Sequence, residues 1–321
     1  MNLRKEPYLL VLGASVVDIF GFCGANYRPY NSTPGNVKMS FGGVCRNIAE
    51  NMARVGANIK FISMLGDDES GRSIIEHSKK IGYNMEDSMI IENGSTPTYL
   101  AILDENGEMV SAIADMKSID ALNTDFIDSK SEIIKNSEYT VLDSDNPVIM
   151  EYLLTNFKEH TNFILDPVSS EKAGWVKHLI KHFHTIKPNR HEAEILAGFP
   201  ITDSEDLIKA SNYFRSLGVE KVFISLDAEG IFYNDGKSCG KIKANDVKVK
   251  NVTGAGDSFV AGLGYGYMNN LSIEETVKFA IAMSVITIAH EETIHPNMSL
   301  SEVEKQLDLI KWTQEVYVIN K

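Results

Sequence analysis

Short β-branched and aromatic runs alternate with longer helical patterns along almost the whole chain, and that alternation limits the fold more than any other feature. Parallel strands need a crossover segment between them, usually a helix, so the pattern implies βαβ units on a largely parallel sheet flanked by helices. Strands are expected at Tyr8–Leu12, Lys60–Leu65, Tyr139–Leu142, Phe163–Leu165, Thr185–Lys187 and Lys221–Leu226. Helices are expected at Val44–Val55, Ser70–Ile81, His191–Ala197, Asp206–Leu217 and Ile273–Ala289. The first four stop at Gly56, Gly82, Gly198 and Gly218, residues that accept the left-handed turn closing a helix. With 321 residues, 43% of them apolar, the chain has enough material for a substantial core, and residues 1–321 are read as one α/β unit.

Two stretches break the alternation. Residues 20–41 and 96–114 read as strand and hairpin, the second with Asn106-Gly107 near its tip. Inserted between core elements, they form the expected discontinuous β-lid over the C-terminal edge of the sheet, where open α/β sheets hold ligands. Plain surface insertions are the alternative.

Composition excludes several classes. A formal net charge of −13 argues against a phosphate-neutralising surface for nucleic acid. Cys23, Cys45 and Cys239 form no CxxC spacing, so neither a zinc site nor a disulfide framework is indicated, and a reduced, cytoplasmic compartment is expected. The apolar run Tyr8–Leu12 is too brief for a signal segment or a membrane span. The stretch Gly230 to Ser238 has five residues between its glycines, against four in a phosphate-binding Walker loop, and lies in an expected hairpin. Gly262, Gly264 and Gly266 suit close helix packing, and no G-x-G-x-x-G follows the first strand as a Rossmann dehydrogenase would require.

Three clusters carry chemistry. In Asn251-Val252-Thr253-Gly254-Ala255-Gly256-Asp257, the small residues Gly254, Ala255 and Gly256 let backbone amides approach an anion where a helix begins. Asp257 on the first turn can then take a proton from an attacking hydroxyl. A Gly-rich turn entering a packed helix is the plainer reading. In Ser40-Phe41-Gly42-Gly43-Val44-Cys45-Arg46-Asn47, the glycine pair permits close approach, and Asn47 offers both donor and acceptor to a hydroxyl. Asp18, beyond the first strand, suits accepting hydrogen bonds from sugar hydroxyls. In Lys187-Pro188-Asn189-Arg190-His191-Glu192, Asn189 is placed to contact a phosphate and Glu192 to order magnesium-bound water. A helix N-cap with its capping-box Glu explains the same two residues.

Taken together, these motifs resemble the PfkB, or ribokinase-like, family of carbohydrate and nucleoside kinases. The family's D-T-x-G-A-G-D signature corresponds to Asn251–Asp257, its GG-containing signature to Phe41–Gly71 and its N-x-x-E motif to Asn189–Glu192. The resemblance implies a ribokinase-like fold with a small β-sheet lid and phosphoryl transfer from ATP with Mg²⁺. Asp257 becomes the base, and Gly254, Ala255 and Gly256 the anion hole. Asp18, Gly42, Gly43, Asn47 and Thr98 become substrate contacts. ATP falls to Asn189, Ser225, Gly230, Gly254 and Gly256, and Mg²⁺ to Glu192 through water. Within the family, Pro34-Gly35-Asn36-Val37, Arg46-Asn47-Ile48-Ala49-Glu50-Asn51, Asp166-Pro167-Val168-Ser169 and the Asn-Val-Thr form of the last signature are similar to the branch acting on pseudouridine. Two positions depart from the wider family. Asn251 stands where an Asp helps bind a monovalent cation, keeping a carbonyl oxygen but losing the charge, which weakens the expectation of K⁺. Val16 stands where ribokinase-type members carry Asn, which weakens free ribose as substrate. The open edge of a lid sheet is a candidate homodimer surface.

Overall fold

The computed structural model describes residues 6–318. Six parallel strands lie in the order Ile59–Ile62, Leu9–Leu12, Tyr139–Asp143, Asn162–Asp166, Thr185–Ile186 and Lys221–Ser225. Antiparallel strands Ile231–Asn234, Cys239–Asn245 and Lys311–Val316 extend one edge, giving a nine-stranded, mostly parallel sheet. Strand residues alternate between two apolar cores: Leu10 and Leu12 join one, Leu9 and Val11 the other. The short apolar runs reflect this burial on both faces, since helices cover the sheet on each side.

The expected elements fall where the pattern placed them, with instructive differences. The helices span Val44–Arg54, Glu69–Ile81, Arg190–Ala197, Ser204–Leu217 and Ile273–Ile288. Gly56, Gly82, Gly198 and Gly218 all take positive φ, between 85° and 117°. Lys60–Leu65 is not one strand. The chain leaves the main sheet at Ser63, and Met64–Gly66 pairs instead with Met89–Ile91 in a separate two-stranded sheet. Ser63 makes the switch because its N–H donates to Ser88 Oγ, its carbonyl accepts from Met89 N–H and its hydroxyl donates to Ser15 Oγ.

The lid is a four-stranded sheet in the order Gly35–Gly42, Val16–Cys23, Thr98–Leu103 and Met109–Asp115. It begins earlier than expected, so Asp18 belongs to a lid strand. The hairpin tip is closed by Asp104 Oδ1, which accepts from the amides of Asn106 and Glu108, with Gly107 at φ 83°. The Gly230–Ser238 stretch lies in the expected hairpin, with Ile231–Asn234 paired antiparallel to Cys239–Asn245.

The helix Ala255–Met268 is buried along most of its length. Its glycines are contact points: a Cβ on Gly262 would overlap Ala280 of the neighbouring helix, one on Gly264 would strike Met52, and one on Gly266 would strike Thr276. Gly262→Val should therefore force helices Ala255–Met268 and Ile273–Ile288 apart and lower stability by about 1–3 kcal/mol or more. Urea unfolding checks this: the midpoint should fall with the slope unchanged, and an unchanged midpoint would show that the contact yields.

Candidate active site

The C-terminal ends of the parallel strands bring ionisable side chains to one rim. Asp143 and Asp166 end their strands, and Lys187 follows Ile186 directly. Lys187 Nζ pairs with Asp166 Oδ2 at 3.1 Å, both groups buried. The start of helix Ala255–Met268 lands on this pair, and a Cβ on Gly256 would sit 2.8 Å from Lys187 Nζ. Glycine there lets the ammonium reach the helix N-terminus.

Gly254 caps that helix at φ 83°, in a space where a Cβ would collide with Thr293. The first helical bond runs from Ser258 N–H to Gly254 O, and Ala255 N–H turns back to Val252 O at 3.3 Å. Among the described residues the amides of Gly254, Gly256 and Asp257 have no backbone acceptor, so an anion can take them. Asp257 is half-buried beside them and accepts a hydrogen bond from Asn47 Nδ2 at 2.7 Å. Burial, followed by the charge of Asp166, pushes its carboxyl up to about 7, against the opposing pull of the Asn47 hydrogen bond, Lys187 and Arg46. A carboxylate so poised can both hold and release a proton near neutrality.

Opposite lies the glycine pair. Asp18 lies over Gly42 so closely that a Cβ there would overlap its carboxylate, and burial raises the Asp18 carboxyl. Gly43 takes φ 97° and caps helix Val44–Arg54, with a Cβ excluded by Ala14 O at 2.5 Å. Asn47, 5% exposed, bridges the two halves through its bond to Asp257. The register puts Tyr99, Ser40 and Ala114 beside Asp18 on one lid face. Thr98 pairs with Val17 and Asp115 on the other face and donates its hydroxyl to Thr96 O. Thr98 thus lies on the lid face opposite Asp18.

Asn189 and Glu192 form the full capping box: Asn189 Oδ1 accepts from Glu192 N–H at 2.9 Å and Glu192 Oε2 from Asn189 N–H at 2.8 Å. This uses one atom of each. Asn189 Nδ2 and Glu192 Oε1 carry no hydrogen bond among the described residues, so a ligand contact remains open to both. Burial raises the Glu192 carboxyl. Ser225 ends its strand and bridges to Asn189, its N–H donating to Pro188 O. Gly230, at φ 100°, has no room for a Cβ against Ile242 O and serves the hairpin turn. Asn251 ties two loops together, donating from Nδ2 to Glu291 O and accepting Thr253 N–H on Oδ1.

Three residues of the site escaped sequence reasoning as chemistry. Asp166, Lys187 and Arg46 stood in the quoted stretches, but their partners are distant in the chain or, for Arg46, hidden by burial. For Asp166 and Lys187 the signal available was a charged residue at the end of an apolar strand, where nothing structural calls for one.

Open amides at a helix start, a carboxylate beside them and a lid over the strand ends define a ribokinase-like phosphotransferase. The pfkB carbohydrate kinase family matches residues 6–300, and this chain belongs to that family. A pseudouridine kinase from Escherichia coli is 32% identical over 306 residues, spanning 94% of this chain and 96% of that one. A crystal structure from Clostridium perfringens, of a protein provisionally described as a sugar kinase, shares 78% identity at a TM-score of 0.96, covering 98% and 100% of the two chains. Arabidopsis thaliana ribokinase, solved with ribose and ATP, is similar in fold at a TM-score of 0.82 and 22% identity, covering 94% and 99%. Among the described residues no helix is long and apolar enough to cross a membrane.

The Asp257 environment has a consequence for stability. Its carboxyl titrates at about 7 in the fold, against about 3.9 in an unfolded chain. The fold therefore holds the extra proton in that window, and stability from this group is lost as pH rises through it and stays lost above. Asp257→Asn should melt above the wild type at pH 8, with the difference closing near pH 4. Differential scanning calorimetry at the two pH values decides it: an equal or lower melting temperature for the variant at pH 8 would remove the burial argument.

Proposed function

We propose that this protein transfers the γ-phosphoryl group of ATP to the 5′-hydroxyl of pseudouridine, giving pseudouridine 5′-phosphate and ADP. The observation that carries this reading is Asp257 beside open helix amides, tied through Asn47 to the loop that meets Asp18. In the proposed reaction the 5′-oxygen forms its bond to phosphorus as the bridging bond to the β-phosphate breaks, and Asp257 takes the hydroxyl proton. The amides of Gly254, Gly256 and Asp257, with Lys187 beneath, receive charge on the transferred group. Asp18, Asn47 and the backbone at Gly42 and Gly43 hold the sugar. On the nucleotide side, Asn189 and Ser225 are the expected contacts, and Gly230 acts through its turn.

Glu192 Oε1, open and at the rim, fits a contact to water around Mg²⁺, which supplies charge neutralisation between the phosphates when bound. Asn251 is committed to its two loop contacts, so a monovalent cation there would depend on main-chain carbonyls. Two features support pseudouridine over other acceptors: the sequence wording shared with that branch and the 32% relative. Tyr99 and Ala114, beside Asp18 on the lid, replace Thr98 as the residues expected near the base. A guanosine-inosine kinase from Exiguobacterium acetylicum, 26% identical over 88% of this chain and 95% of that one, keeps another nucleoside as the second reading. The exposed apolar residues Val37, Met39 and Ile113 on the lid fit a second copy of the chain, and a cytoplasmic setting suits ATP chemistry.

Asp257→Asn should keep the fold and lose turnover by ~10²–10⁴-fold. ADP release measured with pseudouridine, uridine, inosine and ribose in parallel tests the acceptor, and equal rates on uridine would defeat the pseudouridine assignment. The base must be ionised to act, so kcat/KM should rise with pH through about 7 and level off above. Asp166→Asn removes the negative charge that helps raise Asp257, so the acid limb should move to lower pH. An upward or absent shift in that profile would count against Asp257 as the group titrated.

A further inference from the structure

Arg46 breaks a local rule. It lies in the first turn of helix Val44–Arg54, where the exposed amide dipoles disfavour a cation, yet it is 2% exposed. Its guanidinium folds back over the helix start. Nε donates to Gly42 O at 3.0 Å, Nη2 to Phe41 O at 2.7 Å and also to Asn47 Oδ1, and Nη1 to Glu50 Oε2 at 2.6 Å. Glu50 supplies the counter-charge from a side chain that is 3% exposed, and it also takes hydrogen bonds from His77 Nε2 and Arg54 Nε, each at 2.8 Å. Burial would raise the Glu50 carboxyl, but the His77 hydrogen bond and the charges of Arg46, His77 and Arg54 bring it down to about 2. It is therefore an anion across the working range.

An asparagine amide can be turned either way, and only one orientation gives Asp257 a donor. Arg46 has no acceptor, so its contact with Asn47 Oδ1 fixes the amide with Nδ2 toward Asp257 Oδ2. The same fork grips the carbonyls of the residues where Asp18 meets the glycine pair.

We propose that Arg46, held by Glu50, is a positioning residue that sets the orientation of the Asn47 amide and thereby commits Oδ2 of Asp257 to Asn47, leaving Oδ1 to take the substrate proton. This rests on the reading of Asp257 as the base. A lysine cannot make the three-way contact, because it lacks the planar fork that reaches two carbonyls and an amide oxygen together.

The test joins kinetics to a titration that needs no acceptor. The groups facing Asp257 are Asp166 and Lys187 from the strand ends, and Arg46 and Asn47 from helix Val44–Arg54. Arg46→Met removes one positive charge and frees the amide, so the Asp257 carboxyl, followed by carbon-13 NMR, should titrate at higher pH than in the wild type. The acid limb of kcat/KM should move the same way, with kcat down ~10–100-fold through lost alignment. Arg46→Lys should restore the acid limb but not kcat. If Arg46→Met fails to fold, the double variant Arg46→Met/Glu50→Gln removes the stranded charge and carries the same readouts. An Asp257 titration unmoved in Arg46→Met, or in the double variant, would overturn the proposal, as would full kcat in Arg46→Lys. An upward titration in a protein that turns over none of the nucleosides would instead sink the acceptor assignment and leave the role of Arg46 standing.

Discussion

The approach of one helix to its neighbours governs the rest of this structure. Helix Ala255–Met268 lies nearly backbone to backbone with Ile273–Ile288, and it does so because Gly262 and Gly266 present no side chain to Ala280 and Thr276. On its other side Gly264 admits Met52 from helix Val44–Arg54. Those contacts fix the height at which the first turn meets the sheet, and so put Asp257 within hydrogen-bond reach of Asn47 on one side and the charge of Asp166 on the other. A helix seated a few ångströms higher would keep the same motif and lose the site.

The electrostatics follow from where that helix lands. Lys187 is buried against Asp166, and although burial opposes its charge, Asp166, Glu192 and Asp257 together hold it protonated. One ammonium thus serves three carboxyls, and the arrangement has a deficit of positive charge until a ligand arrives. Burial is the main cause of the raised carboxyls of Asp257 and Glu192, and the negative charge of Asp166 adds to it at both. Phosphate alone would worsen the deficit. A phosphate that brings a divalent cation would offset it, which is what the proposed use of ATP with Mg²⁺ would supply.

How much of this was legible depended on whether the determinant was local. The closing glycines of four helices and the tip at Asn106-Gly107 act within a few residues, and each was readable. The three motifs were readable because each needs small or polar residues at fixed spacing. The break at Ser63 was not, since nothing in Lys60–Leu65 reveals that Ser88 and Met89 will claim its backbone. That Thr98 takes the lid face opposite Asp18 was hidden for a similar reason: side chains alternate along a strand, and only the pairing of Val17 with Thr98 decides which face each takes. Nothing near Arg46 or Lys187 in the chain announces that both side chains are buried.

The rival readings of the motifs turn out to describe different atoms of the same side chains. Asn189 and Glu192 are capping residues through Oδ1 and Oε2, while Nδ2 and Oε1 stay open. Asn47 gives Oδ1 to Arg46 and one hydrogen of Nδ2 to Asp257, which leaves its second N–H as a donor. Asn251 has its oxygen engaged by Thr253 N–H, the atom a cation would need. Residues with two polar atoms can anchor a helix or loop with one and face a ligand with the other, so a structural role identified from spacing is no argument against a chemical one. The useful distinction is which atom remains after the fold has taken its share, and by that measure Asn189 and Glu192 keep a contact to offer, while Asn251 has little left.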